Sequence, residues 1–139
     1  MKLNDETERI LTERFGKDSV LALATTENGF PSVRYVNAYY EKGAFYCITY
    51  ALSNKIRQIV RHPTVALAGE WFTAHGTGEN LGFFGKEENQ PIAEKLKSVF
   101  RSWLGNGHTS LEDENTVILR VRLTDGVLFF HGTRYDLEF

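Results

Sequence analysis

The sequence is poor in everything that would build a metal site, a disulfide or a membrane span. It has one cysteine, Cys47, in 139 residues. An internal disulfide is therefore excluded, and a reducing, cytoplasmic setting is expected. The histidines, His62, His75, His108 and His131, do not pair at ligand spacing, and H-E-x-x-H and C-x-x-C are both absent. No metal site is expected on this ground. The net charge is only −2 at pH 7, so the chain lacks the basic footprint of a nucleic-acid binder. No apolar run approaches the roughly 20 residues of a membrane helix, so no membrane partner is expected. Met1 to Glu13 is charged and has no apolar centre, which does not suit a signal peptide. Gly76-x-Gly78 is too short and misplaced for a dinucleotide fingerprint.

What is present suits one compact domain over residues 1–139, since 42% of the chain is hydrophobic and the length matches a single core. Aromatic residues make up 13%, which leaves room for a stacking site. Asn4 to Phe15 reads as a helix, with Asp5 and Glu8 resembling a capping box and Gly16 as the stop. Ser19 to Thr25 reads as a buried strand, and Glu27-Asn28-Gly29 as a hairpin turn. Ser32 to Tyr40 follows as a long strand, with Val33, Tyr35, Asn37 and Tyr39 on one face and Arg34, Val36, Ala38 and Tyr40 on the other. Glu41-Lys42-Gly43 turns into a third strand, Ala44 to Thr49. Thr64 to Phe72 and Thr73 to Phe84 read as strands four and five, the latter bent at Gly76 and Gly78. A helix is expected from Pro91 to Leu104, with Ile92, Leu96, Val99, Phe100 and Trp103 as its apolar stripe. Thr116 to Leu123 alternates as a strand, Thr124-Asp125-Gly126 reads as a turn, and Val127 to Leu137 as the last strand. About six antiparallel strands with two or three helices predict a mainly β fold, a small, partly open barrel with helices at its ends and sides.

Thr49 to Pro63 carries the strongest chemical signal. Ser53 is a good N-cap, Ile56, Ile59 and Val60 follow at helical spacing, and Pro63 stops the helix. Thr49, Ser53, Asn54 and Lys55 bring hydroxyls, amides and an ammonium group to one helix start. Such a set suits a phosphate dianion. It also suits a capped surface helix with a solvated lysine, and the residues alone leave both readings open. Elsewhere the signals are weaker. Cys47 reads as a packed strand residue rather than a redox thiol, and His75 near Glu79 as a rim residue. Tyr35 is either a stacking residue or an ordinary strand tyrosine.

Three stretches taken in order resemble the pyridoxamine 5'-phosphate oxidase-like family of flavin-binding split barrels. They are L-A-L-A-T-T-E-N-G-F-P-S-V-R (21–34), F-Y-C-I-T-Y-A-L-S-N-K-I-R-Q-I-V-R-H-P-T-V-A-L (45–67) and G-T-G-E-N-L-G (76–82). The resemblance implies a split barrel and a homodimer with FMN between the subunits. It implies that Arg34, Tyr35, Val36 and Asn37 line the ring and ribityl chain, and that Cys47, Ile48 and Thr49 lie beside them. Ser53, Asn54 and Lys55 would hold the phosphate, and Trp71 and Phe72 would lie where the partner subunit approaches the ring. Glu79 matches a recurrent family position. The true oxidases carry an arginine where this chain has Asn54, and an arginine-bearing C-terminal motif that R-Y-D-L-E-F does not reproduce. Oxidation of pyridoxamine phosphate itself is therefore not expected. The expectation is an FMN-dependent oxidoreductase passing hydride from a donor such as NAD(P)H to a small molecule. The alternative is a non-catalytic flavin- or haem-binding module on the same scaffold.

Overall fold

A computed structural model describes residues 4–105, 107 and 109–139; His108 lies outside the described residues. The first helix, α1 (Asp5–Phe15), is capped by Asn4, whose side chain accepts from the Thr7 backbone while Thr7 returns a bond to the Asn4 backbone. The reciprocal pair is thus Asn4 with Thr7, not Asp5 with Glu8. Then follow β1 (Ser19–Glu27), β2 (Phe30–Glu41), β3 (Ala44–Tyr50), α2 (Asn54–Arg61), β4 (Thr64–Gly69) and β5 (Phe72–Phe83). A short 3₁₀ turn leads to α3 (Gln90–Val99) and α4 (Arg101–Leu104), and the chain ends with β6 (Thr116–Phe130) and β7 (Thr133–Glu138). No helix among the described residues is long and apolar enough to cross a membrane.

The strands run antiparallel in the order β3-β2-β1-β4-β5-β6-β7, and β3 also pairs with β6. That pairing closes β1 to β6 into a six-stranded ring and leaves β7 outside it. Hairpin turns at Asn28-Gly29, Lys42-Gly43 and His131-Gly132 have positive φ at both central residues. This is the type I′ pattern, whose twist matches that of paired strands.

Two cores result. Inside the ring, Leu21, Leu23, Phe45, Cys47, Leu119 and Val121 pack together. Helix α1 closes the end where β1 begins, with Phe15 against Phe45 and Phe72. Helix α2 plugs the end where β1 finishes, with Ile59 against Gly78. Outside the ring, α3 and α4 lay Leu96, Phe100 and Leu104 over Tyr39 and Ile118.

Four expectations need correction. Strand β4 stops at Gly69, and Glu70-Trp71 form the turn, so Phe72 opens β5. The Thr124-Asp125-Gly126 triplet is not a turn: β6 runs through it to Phe130. Gly126 is there because a Cβ would come 2.9 Å from the Thr73 carbonyl oxygen. The expected 91–104 helix breaks at Phe100, where φ is −98° and ψ 14°. Finally, Val60 is exposed, and Gln58 takes the inward position on α2 beside Ile56 and Ile59.

Candidate functional site

The β2–β3 pairing is short. The strands bond only at Tyr39↔Tyr46, Tyr40↔Phe45 and Glu41↔Ala44. Beyond that point they splay apart. On β2, residues 30–38 keep their partners on β1. On β3, residues 47–49 keep theirs on β6. The facing edges are therefore not paired with each other, and their backbone N–H and C=O groups are available to a ligand. A cleft of about 260 Å³ occupies this gap, lined by Arg34, Tyr35, Val36, Asn37, Cys47, Ile48, Thr49, Lys55 and Trp103.

Its cationic end is held from both sides. The Arg34 guanidinium donates from Nη1 to Thr25 Oγ1 at 2.8 Å and to the Leu23 carbonyl at 3.3 Å. Thr25 is fully buried and donates onward to Gln58 Oε1, while Gln58 Nε2 reaches Glu27 at 3.5 Å. Lys55 Nζ donates to Thr49 Oγ1 at 2.8 Å. Burial first, and the nearby Arg34 second, hold the Lys55 ammonium below the usual lysine range. Burial likewise lowers Arg34. Among the described residues no carboxylate lines the cleft. Two like charges share a partly dehydrated site with no wall acid to neutralise them.

The opposite end is braced from behind by Asp18, which does not itself line the cleft. Its Oδ1 accepts from Asn37 Nδ2 at 2.9 Å, and its Oδ2 from Trp103 Nε1 at 3.0 Å. Between the ends, Cys47 is buried, and that burial pushes its thiol up to about 12 despite the opposing pull of Lys55. It is a packing residue, inert at neutral pH.

The structure brings Arg34, Tyr35, Val36, Asn37, Cys47, Ile48, Thr49 and Lys55 together around one cleft. Ser53 and Asn54 adjoin Lys55 without lining the cleft. Ser53 caps α2, with its Oγ accepting from Ile56 N, and Asn54 is exposed. Phe72 is buried in the barrel core and offers no free surface. Trp71 stands exposed on the β4–β5 turn, edge-on to Phe129, away from the cleft. His75 pairs with Asp125 at 2.9 Å, while Glu79 contacts Arg120 at 3.0 Å and Arg122 at 2.6 Å, so the two do not form a joint site. No metal-binding group of His, Cys, Asp or Glu is found among the described residues.

Sequence reasoning missed Trp103, Asp18, Thr25 and Gln58. The apolar spacing places Trp103 in a continuous stripe, and the break at Phe100 turns it instead to the cleft. Thr25 meets Arg34 across 9 positions and Gln58 across 33, and Asp18 meets Asn37 across 19 and Trp103 across 85, pairings that no local pattern reveals.

Comparisons with known proteins agree with this architecture. The sequence profile named pyridoxamine 5'-phosphate oxidase matches residues 5–128. Among solved structures, a NimC/NimA family protein from Clostridium acetobutylicum is 18% identical, with TM-score 0.72, covering 96% of this chain and 93% of that one. A FAD-binding protein from Mesorhizobium loti is 16% identical, with TM-score 0.68, covering 89% and 92%. A haem-binding protein from Mycobacterium smegmatis is 14% identical, with TM-score 0.72, covering 98% of this chain but 59% of its own. No curated protein matches the chain.

Proposed function

Because the chain belongs to the pyridoxamine 5'-phosphate oxidase family of split barrels, we propose that it holds FMN between β2 and β3 and works as a flavin-dependent oxidoreductase. One observation carries this reading: Arg34 and Lys55 face the same cleft and no carboxylate joins them there. A bound dianion relieves their mutual repulsion and favours their charged forms. Lys55 and the start of α2 hold the phosphate, with Ser53 and Asn54 adding the first-turn polarity. Arg34, locked by Thr25, supplies a fixed fork rather than a mobile charge. The unpaired edges at 34–37 and 47–49 offer backbone donors and acceptors along the ligand's length.

Bound in this way, the flavin would supply hydride and electron transfer between a reduced nicotinamide nucleotide and a small acceptor. The described lining residues include no carboxylate and no histidine, so the part assigned to the chain is to bind, orient and tune the flavin. That same absence favours a second reading, a flavin store or sensor with no turnover. Anaerobic bleaching by NADH or NADPH, with reoxidation by an added acceptor, separates the two. For the haem alternative, no histidine among the described residues lines the cleft to serve as axial ligand.

A homodimer fits the surface. Ala22 and Ala24 on β1 stand beside Ala68 and Ala66 on β4, and form an outer trough of about 370 Å³. Val20, Val33 and Tyr35 flank it, each more than 60% exposed. Tyr35 belongs to both this face and the cleft, so a partner seated on the face would also close over the ligand.

The test is the spectrum of the protein with added FMN. Flavin absorbance that survives gel filtration in the wild type and is lost in Lys55→Ala is expected. Removing one charge-assisted partner of a dianion costs about 2–3 kcal/mol, roughly 30- to 150-fold in affinity. A wild type that stays colourless after incubation with FMN would refute the proposal.

A further inference from the structure

We infer that Trp103 is the stacking wall for the flat ring of the cleft's ligand, and that Asp18 is the residue that positions it. The inference rests on the flavin reading above and deepens it by assigning the ring end of the site.

Trp103 lines the cleft, although it lies on a helix that the barrel itself does not include. The break at Phe100 ends α3 and starts α4 anew. Phe100, fully buried, backs the indole at 5.1 Å between ring centroids. The indole N–H needs a partner once it leaves water, and it finds Asp18 Oδ2. The other oxygen of that carboxylate holds Asn37. One acidic side chain thus ties the loop before β1, the cleft strand β2 and helix α4 together. The indole is part-buried and lines the cleft, which leaves it within reach of a ligand there.

The polarity of the cleft assigns the two ends. Arg34 and Lys55 mark the anion end, and Asn37, Asp18 and Trp103 mark the other. The step along β2 from Arg34 to Asn37 covers about 10 Å of extended chain. A ligand with its phosphate on the cations therefore reaches toward the indole with its opposite, aromatic part. An Asp18 carboxylate next to the phosphate would oppose binding; beside a neutral ring it costs little and orients the indole.

The experiment compares FMN and riboflavin, by equilibrium dialysis and by emission of the bound flavin, in the wild type and in Trp103→Ala, Trp103→Phe and Lys55→Ala. Indole donates an electron to an excited flavin and darkens it, and a benzene ring does not. The wild type is expected to bind FMN in a dark state. Trp103→Ala should bind both flavins roughly 5- to 150-fold more weakly, as loss of one stacking partner implies. Trp103→Phe keeps a flat ring, so it should retain most of the affinity while the bound flavin becomes bright. Because Phe is a smaller change in the α3–α4 core, it carries the test if the alanine variant does not fold. Lys55→Ala should weaken FMN and leave riboflavin almost unchanged. If both Trp103 variants match the wild type in affinity and emission while Lys55→Ala loses FMN, the stacking assignment is wrong and the flavin reading stands. If the wild type binds neither flavin, both fall.

Discussion

Lys55 shows how a single residue couples burial to binding. Its ammonium is held below the usual lysine value of 10.5 by burial and by Arg34. In the free protein, between the lowered folded value and the ordinary unfolded one, the unfolded chain binds more protons. Stability therefore rises with pH through that window. Ligand binding has the opposite sign. A phosphate, already fully charged above neutral pH, favours the protonated lysine, so affinity is complete below the lowered value and declines as pH rises through it. FMN titrations from neutral to alkaline pH should show that decline in the wild type and not in Lys55→Arg, because arginine keeps its charge. A wild-type profile as flat as the arginine variant's would remove Lys55 from the phosphate site.

At the scale of elements, local sequence and tertiary demand compete, and β6 shows the outcome. Thr124-Asp125-Gly126 has the composition of a turn. The strand continues because it must pair with β3, β5 and β7 along one length, from Thr116↔Tyr50 to Phe130↔Thr133. The irregularity is absorbed as a bulge: His75 pairs with Asp125 and Gly76 with Leu123, which leaves Thr124 unpaired across the ladder. Gly126 then serves close strand approach. Gly126→Val should cost about 1–3 kcal/mol by overpacking, read as a lowered denaturant midpoint. Gly29→Asn is the contrasting case. It changes a residue with φ 81° and open space around its Cβ, a conformation that asparagine tolerates, so it should cost under about 1 kcal/mol. Equal costs for the two would mean that the β5–β6 approach is not what the glycine serves.

At the scale of the whole molecule, the proposed homodimer is assigned to the exposed outer face of β1, β2 and β4. Alanines on adjacent strands allow close approach, and Val33 and Tyr35 supply apolar area beside them. Val33→Glu should leave the barrel folded, since the side chain is 69% exposed, but should shift the protein from dimer to monomer in light scattering. FMN retention should fall with it, because Tyr35 joins that face to the cleft. A variant that stays dimeric would place the interface elsewhere.

The sequence by itself determined most strand positions, and its resemblance to the family pointed to the barrel class and to the residues that line the cleft. Periodicity marks inward and outward faces, and the resemblance to the family marks the strand edges and the helix start beside Lys55. Both are local properties, spelled out within a few consecutive residues. Only the tertiary structure decided where β2 and β3 part, that Phe72 belongs to the core, and that Arg34 is braced by Thr25 and Gln58. It alone brought Asp18 and Trp103, 85 positions apart, to the same end of the cleft. Closure of the ring through β3 and β6, and the break at Phe100, come from packing between distant segments. Their energies depend on what the chain meets in space, and a residue's neighbours along the chain do not record that.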